Sequence, residues 1–327
     1  PQGGGEEPGV GTLKAAFEEL QARYDGVHGG FGVPKFPTPH HLTFLLRYYR
    51  RFRDEQALAM VEKTLMAMRD GGIYDQVGGG FHRYATDERW FLPHFEKMLY
   101  DQAQLVMAYV EAYQVTGKAE YADTARAVIG YVMRDRRAPE GAFYCAEDAD
   151  SEGIEGKFYV WTEDEIRASL DEREAEAWVR VYGVEPAGNY QDEASRRQTG
   201  TNVFFRKLAL AEAAWDLNLG KKELGELLEN ARRKLLDARA RRIHPHRADK
   251  VLCDWNGLMI VALAKAAQVF EDPGYAAAAR EAADFILAAM RAPDRGLLHR
   301  WRDGEAGISG FLEDYAFFIW GLIELYE

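Results

Sequence analysis

A long internal repeat constrains this chain more than any single motif. Tyr121–Tyr144 aligns with Tyr275–Leu298 at an offset of 154 residues, with Tyr121/Tyr275, Arg126/Arg280, Tyr131/Phe285 and Pro139/Pro293 in register. A stretch of matching apolar rhythm precedes each copy, Gln102–Val115 and Asn256–Val269. A glycine and an aromatic or leucine pair follows each, and the same punctuation recurs as Gly29-Gly30-Phe31, Gly79-Gly80-Phe81, Gly141-Ala142-Phe143 and Gly296-Leu297-Leu298. Glycine supplies a positive-φ turn there, and the following aromatic can pack back on the helices it joins. From Gly30 to Gly80 is 50 residues, the length of two helices with their loops. The unit is a helical hairpin. Hairpins repeated in this way stack as an open solenoid or a closed ring, with their loops gathered on one rim.

Apolar spacing at steps of three and four predicts helices over 12–24, 39–52, 55–69, 97–116, 119–135, 162–182, 207–216, 221–240, 255–271, 274–290 and 311–326. For the fourth of these, Pro93 suits a first turn and Gly117 a C-terminal stop. Strand signals are short: Gly156–Trp161 above all, then Phe143–Cys145 and Asn202–Arg206. Residues 1–11, with five glycines and two prolines, read as a flexible leader. Residues 12–327 read as one domain, truncated at its C-terminus, because Gly310–Glu327 starts a helix whose partner does not follow.

Composition excludes several roles. The net charge of −12 offers no broad basic surface to a nucleic acid. No apolar run reaches the roughly 20 residues that span a bilayer, so no membrane partner is expected. Two cysteines, Cys145 and Cys253, make no disulfide framework and fit a reducing, cytoplasmic setting. The glycines of Gly29–His41 do not form a dinucleotide fingerprint; Lys35 and His40 there are candidates to face a pocket, or parts of a rigid lid. No cofactor and no metal are expected. The acids of Phe143–Trp161 lack the spacing of a calcium loop.

The chemistry-bearing residues cluster in a few segments. Gly78–Asp101 holds His82, Arg83, Tyr84, Trp90, His94, Glu96, Lys97 and Asp101. Imidazoles exchange protons near neutral pH. Guanidinium and carboxylate groups fix hydroxyls by charge-assisted hydrogen bonds, and the rings offer flat faces to a sugar. Phe143–Trp161 adds Glu147 and Asp148. Asp249–Gly257 adds Asp254, a plausible helix N-cap, with Trp255 and Asn256. In Leu298–Tyr315, His299-Arg300-Trp301 echoes His82-Arg83-Tyr84, and Asp314 falls where Asp101 does. The candidate catalytic set is His82, His94, Glu96, Asp101, Glu147, Asp148 and His299. The candidate binding set is Arg83, Tyr84, Trp90, Lys97, Asp254, Trp255, Asn256 and Asp314.

Four runs carry a family resemblance: Gly29–Pro37 (GGFGVPKFP), Gly71–Ala103, Ala146–Thr162 (AEDADSEGIEGKFYVWT) and Asp254–Met259 (DWNGLM). They resemble the spermatogenesis-associated protein 20 family of thioredoxin-domain-containing proteins. The resemblance implies a thioredoxin-like N-terminal domain, absent from this chain and an expected partner. After it would come a helical toroid similar to N-acylglucosamine 2-epimerases and six-hairpin glycosidases. The expectation is therefore an all-α toroid of helical hairpins, (α/α)6-like, complete or incomplete, with short β-ribbons on the loop rim. Three functions fit: sugar isomerisation or epimerisation by proton transfer, glycoside hydrolysis by paired carboxylates, and a non-catalytic binding or scaffolding body. The expected small-molecule partner is a carbohydrate.

Overall fold

A computed structural model describes residues 9–191, 198–293 and 296–327. Its helices are α1 (Val10–Arg23), α2 (Pro39–Phe52), α3 (Glu55–Asp70), α4 (Leu99–Thr116), α5 (Ala119–Tyr131), α6 (Glu163–Ser169), α7 (Glu172–Val181), α8 (Leu210–Asp216), α9 (Lys221–Arg239), α10 (Cys253–Phe270), α11 (Pro273–Ala289) and α12 (Leu312–Tyr326). The predicted helices all appear, with local differences. The 162–182 segment breaks into α6 and α7, because Asp171 caps a fresh start by accepting from the Glu174 N–H at 3.0 Å. α5 closes in a π-helical turn, Val132–Arg136. α1 already includes Val10 and Gly11, which the sequence assigns to the leader; residues 1–8 lie outside the described ones.

The hairpins α2/α3, α4/α5 and α10/α11 stand in an arc. α2, α4, α10 and α12 form its inner layer, each packed on the next, and α3, α5 and α11 back them. Inner helices must bury more than one face. α4 accordingly buries Leu99, Ala103, Leu105, Val106, Met107, Tyr109 and Val110, and α10 buries Leu258 through Ala264. The observed architecture is the expected all-α, (α/α)6-type toroid of helical hairpins. Between the repeat copies, α6–α9 enclose a smaller core around Trp178, Phe204, Leu224 and Leu235.

α10 and α12 approach closely at Gly257, where an added Cβ would lie 2.6 Å from the Phe317 carbonyl carbon. Gly257→Ala forces the two helices apart and lowers stability by about 2 kcal/mol. A urea midpoint equal to that of the parent chain would contradict this close fit.

The ribbons are β1 (Tyr84–Ala85), β2 (Pro93–His94), β3 (Lys97–Met98), β4 (Ala146–Glu147), β5 (Asp150–Ser151), β6 (Ile154–Glu155), β7 (Arg247–Ala248), β8 (Val251–Leu252), β9 (Leu298–Arg302) and β10 (Glu305–Ser309). They pair antiparallel as β1–β2, β3–β4–β7, β5–β6 and β8–β9–β10. Several differ from prediction. Pro93 lies in β2 rather than in a helical first turn, and Gly156–Tyr159 is a turn, with only Trp161 of that segment bridged, to Asn202. The longest ribbon, β9–β10, was not predicted.

The glycine punctuation holds. Gly79 and Gly80 take φ of +76° and +79°, and a Cβ on Gly80 would meet the Tyr131 ring at 2.5 Å. Phe31, Phe81 and Phe143 are all buried. Equivalent amides of the repeat hold two of these loops. Gln102 Oε1 accepts from the Phe81 N–H at 2.8 Å and its Nε2 donates to Phe81 O at 2.7 Å. Asn256, 154 residues on, does the same for Phe143 at 2.8 and 3.0 Å.

Candidate functional site

β3 divides the polar residues of Gly78–Asp101 into two groups. Side chains alternate along a strand, so Lys97 and its neighbours on either side face opposite ways.

Lys97 turns inward. It is buried and donates to Asp75 Oδ2 at 2.8 Å and to Gly79 O at 3.0 Å. Arg239 of α9 binds the same carboxylate with two 2.8 Å hydrogen bonds. Burial works against the Asp75 carboxylate, but Arg239 and Lys97 outweigh it and hold it well below the usual range. Glu147, paired with Lys97 across β3–β4, accepts from the Tyr159 hydroxyl. His82 lies here too, 2 % exposed, with Nδ1 2.8 Å from Phe95 O. Burial and the Lys97 charge push it down to about 3. At neutral pH it is uncharged and shut away from solvent, the reverse of what proton exchange needs. A cavity of about 300 Å³ touches Lys97, Glu147 and Arg239 from α9's side.

The other group forms a rim. Arg83 Nη1 donates to Glu96 Oε2 at 2.8 Å. His94 Nδ1 lies 2.6 Å from Glu155 Oε1, and its Nε2 lies 3.8 Å from Glu96. The Glu155 hydrogen bond raises His94 despite burial. Tyr84 stacks on His94 with centroids 5.0 Å apart. Asp101, in the first turn of α4, is 6 % exposed and its Oδ2 has no hydrogen-bond partner among the described residues. Burial pushes its carboxyl up to about 8; Arg83 opposes this and Glu96 adds to it. It is a neutral acid at pH 7.

The rim continues onto α10 and α12. Tyr100 and Trp255 meet edge to face at 4.7 Å. Next to them, Asp254, His299 and Asp314 bring ligand-type atoms within 4.8 Å of one another. Asp314 is fully buried. Its oxygens accept from the Asp254 N–H at 3.0 Å and the Phe311 N–H at 2.7 Å, and lie 3.0 and 3.1 Å from His299 Nδ1. A carboxylate only accepts, so Nδ1 carries the hydrogen and Nε2 is the basic nitrogen. Burial raises the Asp254 carboxyl. Two carboxylates and an imidazole are a donor set that a divalent ion can use, although Asp314 already accepts from two backbone N–H groups and from His299.

Inward of the rim lies a cavity of about 560 Å³ among α2, α4, α10 and α12, lined by His40, Arg47, Tyr100, Gln104, Glu111, Trp255 and Trp320 among others.

Of the residues singled out from sequence, Arg83, Tyr84, His94, Glu96, Asp101, Asp254, Trp255, His299 and Asp314 thus come to the rim. His82, Lys97 and Glu147 join the buried network behind it. Asp148 is exposed, its carboxylate accepting from the Ala149 N–H. Trp90 is fully buried at φ +64°, donates to His28 O at 3.1 Å and covers Gly30, leaving no free face for a sugar. Asn256 spends its amide on Phe143 and Leu252, and Asp254 lies inside the first turn of α10 rather than at its cap. Lys35 is buried on Asp25. Cys145 and Cys253 are buried free thiols, both raised by burial. Sequence reasoning missed Glu155 and Tyr100, and the inner-helix residues Arg47, Gln104, Glu111 and Trp320. Their helical spacing was visible, but not that it faces a cavity.

No protein-family model matches the chain. Human spermatogenesis-associated protein 20 is 39% identical to it, over 98% of this chain and 45% of its own length. The chain is a relative of spermatogenesis-associated protein 20. It spans under half the length of the curated spermatogenesis-associated protein 20 sequences it matches. Among solved structures, an unsaturated glucuronyl hydrolase specific for heparin superposes with a TM-score of 0.53 at 9% identity, over 97% of this chain and 68% of that one. That likeness establishes the toroid fold. A family 76 glycoside hydrolase (mannosidase) from Bacteroides thetaiotaomicron gives 0.49 at 11% identity, over 89% and 54%. Among the described residues, no helix is long and apolar enough to cross a membrane.

Asp101→Asn isolates the acid. The folded carboxyl stays protonated to about pH 8, while the unfolded one ionises near 3.8. Asp101 therefore costs stability increasingly as pH rises between those values. The variant melts at the parent temperature at pH 4 and at least about 3 °C higher at pH 8. Equal melting curves at pH 8 would show that Asp101 ionises freely in the folded protein.

Proposed function

We propose that the rim site moves a proton on a reducing sugar, at the carbon beside the carbonyl, as a sugar isomerase or epimerase does. The observation that carries this is the His299–Asp314 pair. A buried carboxylate, locked by two backbone N–H groups, fixes the imidazole through Nδ1 and leaves Nε2 as the base. Asp101, neutral at pH 7, supplies the acid.

The step balances. The C2 proton goes to His299 Nε2, its electron pair becomes the C1–C2 double bond, and the carbonyl oxygen takes the Asp101 proton. Returning the imidazolium proton to C1, with the 2-hydroxyl proton passing to Asp101, yields the ketose. Delivery of a solvent proton to the opposite face of C2, with the 1-hydroxyl proton going back to Asp101 and the abstracted proton leaving His299 for water, yields the epimer. Trp255 and Tyr100 would flank the ring. The glucuronyl hydrolase likeness supports the fold alone, so the carbohydrate reading rests on these side chains. Chromatography of neutral reducing sugars after incubation tests it: a new epimer or ketose is expected, and unchanged sugars throughout count against it.

One observation favours a second reading. A protonated Asp101 beside the ionisable Glu96 is also the pairing of a glycosidase acid with its partner carboxylate. That reading expects new reducing ends from an oligosaccharide and no isomer.

A further inference from the structure

We infer that the inner-helix cavity is a trough for a neutral, linear oligosaccharide of about three units, bound with its reducing end at the rim; this rests on the sugar chemistry proposed above. The trough opens at the rim, because Tyr100 and Trp255 belong to both. It then follows α4 inward through Gln104 to Glu111. Eleven residues of helix from Tyr100 make about 16 Å, the length of roughly three linked pyranose rings, and a single ring would leave most of it empty. The volume, about 560 Å³, agrees. The walls are of the kind sugars need: Trp255 and Trp320 offer apolar faces, and Gln104 offers both donor and acceptor.

Charge narrows the class. Arg47 spans the inner stretch and binds Glu111, Nη2 to Oε1 at 2.8 Å and Nε to Oε2 at 3.4 Å. The two charges cancel, so this pair offers a uronate or sulfate no uncommitted cation. It offers hydroxyls a fixed guanidinium and a fixed carboxylate, which suits the non-reducing terminal unit. Arg47 keeps 61% of its side chain exposed while Glu111 keeps 13%, so the guanidinium is the more accessible of the two.

Calorimetric titration of the intact chain with linear neutral gluco- and manno-oligosaccharides of one to four units tests this. In at least one series, affinity should rise about tenfold per unit up to three and then level. Glu111→Gln, which keeps the side chain's shape, should lower affinity for the three-unit ligand about tenfold. Equal affinity at every length, preference for uronate oligosaccharides of the same length, or no binding at millimolar concentration would overturn the proposal. Its failure is separable from that of the chemistry. Isomerisation of a monosaccharide with no length dependence sinks the trough alone; length-dependent binding with no turnover sinks the chemistry alone.

Discussion

If the rim moves a proton on a sugar as proposed, His299→Ala lowers kcat by about 10³-fold, with KM changed little. The loss would fall on kcat because, on that proposal, the imidazole takes the proton in the transition state and has no equal part in holding the ground state. Asp314→Asn gives a smaller drop, about 10²-fold, since the amide can still accept at Nδ1–H but no longer stabilises the imidazolium that forms. The pair of variants is informative together, because Asp314 also ties the start of α12 to that of α10. Circular dichroism and melting curves show whether the Asn variant keeps that tie. A His299→Ala enzyme within threefold of the parent kcat would remove the base from the mechanism. Above about pH 8 the parent rate falls as Asp101 ionises; a rate still rising there would remove the acid.

Asp75→Ala destabilises the protein by about 3–5 kcal/mol, the largest stability effect expected of any single change here. Its carboxylate is buried and holds Lys97 of β3 and Arg239 of α9 at once, besides accepting from the N–H groups of Val77 and Gly78. Removing it leaves two buried cations facing each other. The same network sets an acid limit. Asp75 is depressed in the folded state, so its contribution is full above the unfolded carboxylate's 3.8 and is lost as pH falls through the lower folded value. Urea titration at pH 7 and pH 3 measures both. At pH 3, less than one unit below 3.8, the Ala variant should recover only about 1 kcal/mol of its deficit, because the folded carboxylate is still ionised there; a deficit under about 1 kcal/mol at pH 7 would show that the cations find other partners.

The helical body was legible in the sequence because its stripes recur at steps of three and four and its loops open on glycine. The site was half legible. Phe95-Glu96-Lys97-Met98 is rich in good helix formers, and local propensity reads it as the start of α4; pairing of Lys97 and Met98 with Glu147 and Ala146 makes it a strand instead. That one difference decides the chemistry. On a helix Glu96, Lys97 and Asp101 would crowd one end, whereas on a strand Lys97 turns away into the ion network that also takes His82 and Glu147. Nothing local marks Asp75 as their partner, since Arg239 arrives from 164 residues away. Asn256 was legible in principle. Its repeat equivalent, Gln102, is an amide too, which points to a shared structural task rather than to a ligand. The His299–Asp314 pair could be suspected from composition, but only β9 and the first turn of α12 bring it together.

Proton exchange with solvent tests the central claim most directly. Neutral reducing sugars of one to three units are incubated with the protein in heavy water at pH 7, and deuterium at C2 is followed by NMR. The account predicts deuterium entering C2 of at least one sugar, lost in His299→Ala and declining above about pH 8. A folded protein that leaves C2 of every sugar unlabelled would contradict it.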